Sequence, residues 1–165
     1  MIIVEGIDGV GKSSFVESMS TYDYKRHHFE YDQKRMDLFS KYETVLDKSD
    51  ERTALDRSFV SEMVYGPVIR GFSKISDVQF IQLLKLYQNA GFKLFYLHAS
   101  RECLLQRRAS DEADFYMLKK YYEELSSQYE KIIDICSNYL DVFSFNSELM
   151  SVDEMKMGAK KVLKL

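Results

Sequence analysis

The chain holds 165 residues, 45% of them apolar and 14% aromatic, with 23 basic against 26 acidic side chains and a net charge of -3. That mixture excludes a disordered, charge-swollen chain and suffices for one compact core without disulfides. The lack of a basic surplus argues against duplex nucleic acid or an anionic membrane as the main partner, while leaving room for a local phosphate site.

The N-terminal run Met1-Ile2-Ile3-Val4 meets Glu5 and Asp8 at once, with no basic flank and no long apolar stretch, and no apolar run nears membrane-spanning length. The expectation is a soluble, cytoplasmic protein. Its two cysteines, Cys103 and Cys136, lie in helical segments with no histidine at metal-ligand spacing, and read as free, buried thiols of a reducing compartment. With a single proline, Pro67, no low-complexity stretch and no repeat, residues 1–165 read as one domain.

In chain order, short runs rich in β-branched and aromatic residues predict strands at 2–4, 24–29, 53–55, 92–97 and 142–145. Longer segments between them carry helical spacing. Tyr65-Gly66-Pro67 predicts a break in the helix that begins after Arg57. Val78, Ile81, Leu84, Leu86 and Tyr87 form an apolar surface that ends at Asn89-Ala90-Gly91, a helix stop. Phe115, Leu118, Tyr122, Leu125, Tyr129, Ile132 and Cys136 recur three or four apart, which predicts a long helix over 113–137 whose tyrosines serve the core rather than a base-stacking platform. The alternation is the doubly wound α/β pattern, with helices on both faces of a parallel sheet and ligands at the carboxyl ends of its strands.

Directly after the first strand stands Gly6-Ile7-Asp8-Gly9-Val10-Gly11-Lys12-Ser13, a full match to G-x-x-x-x-G-K-[ST], with Ser14 following and Phe15, Val16 and Met19 on one helical face. Glycines let such a loop curl so that successive backbone N–H groups point at a polyphosphate. Lys12 then reaches the β and γ phosphates, and the Ser13 hydroxyl ligates Mg²⁺. No Asn-Lys-x-Asp occurs, so the base-reading motif of a GTPase is missing. At the end of the third strand, Asp56-Arg57-Ser58 places an acid that can hold the metal through water beside an arginine that can grip a second phosphate. Taken alone, Asp56 would also serve as a helix N-cap and Arg57 as an exposed ion pair.

On these residues the sequence resembles the thymidylate kinase family. The opening from Val4 to Ser14 resembles that family's phosphate loop with its embedded Asp-Gly, Asp56-Arg57 its Asp-Arg after the third strand, and 61–71 its acceptor-base region. Arg107 and Arg108 resemble the start of its lid helix, and Phe145-Asn146-Ser147 the loop that packs on adenine. The resemblance implies a P-loop NTPase fold with five parallel strands in the order 2-3-1-4-5, a short lid around 107–115, MgATP as phosphate donor, a deoxynucleoside monophosphate as acceptor, and usually a homodimer. It makes Lys12, Asp56, Arg57, Arg107 and Arg108 the catalytic set, with Ser13 and Asp56 on the metal. Gly6, Asp8, Gly9, Val10, Gly11, Ser14 and Asn146 join Lys12 and Ser13 around ATP. On the acceptor side it points to Asp8, which would touch the deoxyribose 3′-hydroxyl, with Arg57, Phe39, Tyr65 and Arg70, and Phe72 nearby.

The sequence departs from that family in three respects. Ser58 stands where an aromatic is commoner, the lid region between Arg108 and Phe115 is very short, and the chain is compact for the family; the triplet Asp56-Arg57-Ser58 is partway to the Glu-Arg-Ser of the related deoxynucleoside kinases. A nucleoside hydroxyl acceptor would profit from a carboxylate base, for which Glu30 and Asp32 after the second strand stand as candidates, with Asp8 and Asp56 in the loops already named. Two further readings are a nucleotide-binding module without catalysis and a kinase of a modified-base hydroxyl in DNA. His27 and His28, adjacent on a strand, face opposite sides and suggest no shared metal.

Overall fold

The computed structural model describes residues 1–28 and 37–165. Its strands are β1 (Ile2–Glu5), β2 (Lys25–His28), β3 (Thr53–Asp56), β4 (Lys93–His98) and β5 (Asp141–Asn146). They form one parallel sheet in the order β2-β3-β1-β4-β5, as the resemblance implies. Every residue of β1 and β3 is buried, so both faces of the sheet centre are covered, which is why apolar residues run without alternation through Ile2-Ile3-Val4 and Ala54-Leu55 before each strand ends in an acid. The edge strand β2 instead exposes Lys25, Arg26 and His27, and a charged edge resists pairing with another chain.

The helices are α1 (Lys12–Ser18), α2 (Leu38–Asp47), α3 (Phe59–Tyr65), α4 (Asp77–Asn89), α5 (Arg101–Arg107), α6 (Glu112–Ser137) and α7 (Val152–Leu163). None is long and apolar enough to cross a membrane. Helices α1 and α7 pack together, while α2, α3, α4 and α6 form a second group. In that group Phe59, fully buried, meets the rings of Tyr42, Phe80 and Tyr87 edge-on at 5.7, 5.8 and 4.9 Å. Across the sheet Phe15 of α1 packs on Phe95 and Phe145 at 5.6 and 6.0 Å.

Helix ends follow the sequence signals in most places. Ser76 and Ser151 each form a capping box, with Gln79 and Glu154, and Gly91 stops α4 in the left-handed conformation at φ 81°. The α-helix ends at Tyr65, at the expected break, and the chain goes on as a π turn over Gly66–Arg70. Proline cannot donate to the carbonyl four residues back, and that carbonyl, of Met63, accepts instead from Gln128 Nε2 of α6 at 3.1 Å. A long-range partner therefore satisfies the carbonyl that the proline leaves open. Both cysteines are free, Cys136 buried as expected and Cys103 only half-buried.

Truncating Phe59 removes the ring on which three aromatic side chains of α2 and α4 converge. Phe59→Ala is expected to cost about 3–5 kcal/mol and to lower the melting temperature by roughly 2–4 °C per kcal/mol for a domain of this size. A thermal melt within a degree of the parent would contradict this packing.

Candidate functional site

The glycine loop leaves β1 at Gly6, where a Cβ would stand 2.2 Å from the Leu97 carbonyl oxygen at the end of β4, so only glycine lets the two strand ends lie this close. At its far end Gly11, with φ 91°, is the N-cap of α1. Lys12 closes the loop from inside, its Nζ donating to the carbonyls of Gly6 at 2.8 Å and Ile7 at 3.0 Å and lying 3.5 Å from Asp8. Burial pushes the Lys12 ammonium down, and Asp8 opposes that shift.

Because β3 pairs with β1, Asp56 ends beside this loop. Its carboxylate is fully buried and accepts from Ser13 Oγ at 2.8 Å and from Arg26 Nη2 at 2.6 Å. The N-cap of the following helix is Ser58, whose hydroxyl accepts from Val60 N, and Asp56 is left to the site. Between them sits Arg57 with φ 73°, a left-handed residue whose N–H donates to the Val4 carbonyl at 3.1 Å. A non-glycine residue there costs of order 1 kcal/mol, which packing must offset. Arg57 thereby turns its guanidinium back onto Asp8, with which it is ion-paired.

Asp8 is the hinge of the arrangement. The Tyr65 hydroxyl donates to its Oδ2 at 3.1 Å and accepts from its backbone N–H at 3.1 Å, while the Arg57 guanidinium lies 5.4 Å over the Tyr65 ring. Burial alone would raise the Asp8 carboxyl, but Lys12 and Arg57 outweigh it and hold it below the usual carboxylate range. Asp8 is therefore ionised and fixed. Burial, reinforced by Asp8, pushes the Tyr65 phenol up, so it stays a donor.

Two cavities meet here. The larger, about 710 Å³, is lined by the glycine loop from Asp8 to Ser14 with Arg26, Asp56, Arg107 and Arg108, and by Ser147 and the start of α7. The smaller, about 360 Å³, is lined by Leu38, Tyr42, Glu62, Tyr65, Ile69 and Arg70, among others. Asp8, Arg57 and Asp114 belong to both walls.

Tyr65 and Arg70 thus join the smaller cavity, while Phe39 packs partly against the core and is not among its lining residues. Arg70 is ion-paired with Glu62 and lies over the Phe72 ring at 5.7 Å. Arg107 donates to the Ser147 hydroxyl at 3.0 Å and carbonyl at 2.5 Å, and Arg108 pairs with Asp114 at 3.4 Å. Asn146 ends β5 and its Oδ1 accepts from Glu148 N at 2.9 Å, so the cavity wall is made one residue later, by Ser147. Glu30 and Asp32 lie outside the described residues.

Ser13 Oγ and the Asp56 carboxylate are oxygen donors facing the larger cavity, and among the described residues no three or more His, Cys, Asp or Glu side chains cluster to hold a metal. That set fits a magnesium ion that takes its other ligands from phosphate and water.

No protein-family model and no curated protein matches the chain. Solved structures do. The YorR protein of Bacillus subtilis, in complex with phosphorylated GDP, superposes with a TM-score of 0.83 at 21% identity over 99% of this chain and 95% of its own. Deoxyadenosine kinase from M. mycoides with bound dATP gives 0.67 at 17% identity over 98% of both chains. Thymidylate kinase from Candida albicans gives 0.63 at 14% over 99% of this chain and 90% of that one. The chain has the fold of the P-loop kinases.

Sequence reasoning missed Glu5, which lies beneath the loop. Fully buried, it accepts from Ser58 Oγ at 2.8 Å, Ser61 Oγ at 2.6 Å and Tyr129 OH at 3.2 Å, joining β1 to α3 and α6. Burial raises its carboxyl despite the Ser61 and Ser58 hydroxyls and the charges of Lys12 and Arg57. The folded chain therefore holds the Glu5 proton more tightly than the unfolded chain. This contribution to stability is complete below the ordinary value of 4.5 and is lost as pH rises through the raised one. Relative to Glu5→Gln, which cannot titrate, the parent is expected to lose melting temperature as pH is raised from about 4.5 toward neutrality. Parallel melting curves across that range would contradict the assignment.

Proposed function

We propose that this chain transfers the γ-phosphate of MgATP to a deoxynucleoside monophosphate, thymidylate or a related pyrimidine nucleotide, giving the diphosphate. The observation that carries the proposal is the junction of the two cavities at Asp8, Arg57 and Asp114. The larger cavity has the lining of a nucleoside triphosphate site. The smaller has room for one further nucleoside, and a cation stands where the two meet.

In this reading Lys12 leaves its loop carbonyls to hold the β and γ phosphates, and the loop N–H groups hold the remaining oxygens. Ser13 and Asp56 would hold the magnesium ion, which when bound neutralises charge on the transferring group. Arg57 grips the acceptor phosphate, offsetting repulsion between two anions and fixing the line of attack. An acceptor phosphate is already anionic and needs no base. Asp8, ionised and held by Tyr65, suits a hydrogen bond from a sugar hydroxyl. Glu62 with Arg70 offers one acceptor and one donor group to a base edge. Arg107 and Arg108, where α5 passes into α6, serve as a short lid over the phosphates. Two unbridged thiols suit a cytoplasmic enzyme.

The test is ADP release from MgATP with each deoxynucleoside monophosphate offered beside each unphosphorylated nucleoside. Turnover with a monophosphate is expected, and turnover with nucleosides alone would overturn the acceptor assignment. Lys12→Ala is expected to lower turnover by at least about a hundredfold. Arg57→Ala is expected to raise the acceptor KM and lower kcat while leaving the KM for ATP within about twofold. Unaltered acceptor kinetics would remove Arg57 from that role.

A further inference from the structure

The residue that the proposed reaction leaves unused is Arg26. It sits on β2 opposite Ala54, two residues short of Asp56, and its side chain runs along the sheet edge to the mouth of the larger cavity. There Nη2 donates to Asp56 Oδ2 at 2.6 Å and to Ser13 Oγ at 3.0 Å, and Nη1 is held by Glu17 at 3.0 Å. The two oxygens it binds are those that fit a magnesium ion.

The burial is one-sided. Asp56 is wholly out of water, whereas the Arg26 side chain keeps 34% of its surface exposed on a long, flexible stem. A buried carboxylate without a cation is costly, so Asp56 needs a positive partner at all times. Two cations on the same two oxygens would repel each other strongly at that distance. Of the two, the guanidinium is the one that can withdraw into solvent at little cost, because it is already a third exposed and has Glu17 outside the cavity.

We propose that Arg26 is a competing counter-ion for the Ser13–Asp56 pair, holding it until a metal–nucleotide arrives and withdrawing when the metal takes the same oxygens. Arg26 then sets how tightly the site takes its metal, and keeps Asp56 paired when metal is scarce. This rests on the reading of the larger cavity as a metal–nucleotide site.

The experiment is Mn²⁺ binding to the full chain in the presence of saturating ADP, followed by electron paramagnetic resonance, for the parent and Arg26→Ala. Competition predicts that the variant takes Mn²⁺ more tightly, by about fivefold or more. It also predicts that the variant melts below the parent in a chelator and that MgADP closes the gap. Equal or weaker Mn²⁺ binding in the variant would overturn the proposal, since an arginine that merely orients Asp56 would help the metal. Should Arg26→Ala fail to fold, Arg26→Gln keeps the stem without the charge and carries the same expectation. Failure of the parent to bind ADP at all would overturn the nucleotide reading and this proposal with it, whereas ADP binding with no change in Mn²⁺ affinity would overturn this proposal alone.

Discussion

The site depends on one hydrogen bond, from Ser13 at the start of α1 to the buried carboxylate of Asp56. It exists because β1 lies between β3 and β4, so that the loops leaving β1 and β3 open on the same end of the sheet. Parallel pairing in register, Val4 opposite Asp56, sets the distance, and no side chain has to reach far to make the contact. Everything around it answers the charge that this geometry buries. Lys12 and Arg57 stand against Asp8, Arg26 against Asp56, and Arg108 against Asp114.

A second buried acid supports the first arrangement. Glu5 is drawn into the core by its place on β1 and is stabilised by three hydroxyls from α3 and α6. Ser58 serves twice, as the N-cap of α3 and as a donor to Glu5, so the residue after Arg57 is pinned at both ends. That explains how the left-handed backbone of Arg57 persists: the strands fix the residue before it and the capped helix fixes the one after. The serine that departs from the resembled family is therefore a structural partner of Glu5 in this chain. Its presence says little by itself about which acceptor is used.

Much of the fold was legible because its signals are local. Four strands announced themselves as short, mostly apolar runs and the polar β2 by its aromatic flank at Tyr24, and the glycine loop is eight consecutive residues with a strand before it and a helix after it. Asp56 and Arg57 were legible because a strand end is where such a sheet presents ligands. The rest depends on register and on helix faces that meet across the fold. Arg26 reaches Asp56 from 30 residues away, along an edge strand whose alternation of Lys25, Arg26 and His27 marks none of them. Glu62 and Asp114 lie within the stretches that the resemblance marks as acceptor region and lid, but nothing local brings them together until α3 and α6 are packed around one cavity. The Met63 carbonyl, which Pro67 cannot serve, is held by Gln128, 65 residues beyond it, and no local rule contains that partner.

The central claim is that the two cavities are halves of one reaction site, with Asp8 and Arg57 at the seam. A linked inhibitor tests it most directly: adenosine joined 5′ to 5′ through five phosphates to each of the four deoxynucleosides in turn, with affinity read by calorimetry in Mg²⁺. If the halves form one site, at least one of these is expected to bind about a hundredfold tighter than ATP or the matching monophosphate alone, because the second half binds at high effective concentration. If all four bind no tighter than ATP, the smaller cavity is not the acceptor site and the account is wrong at its centre.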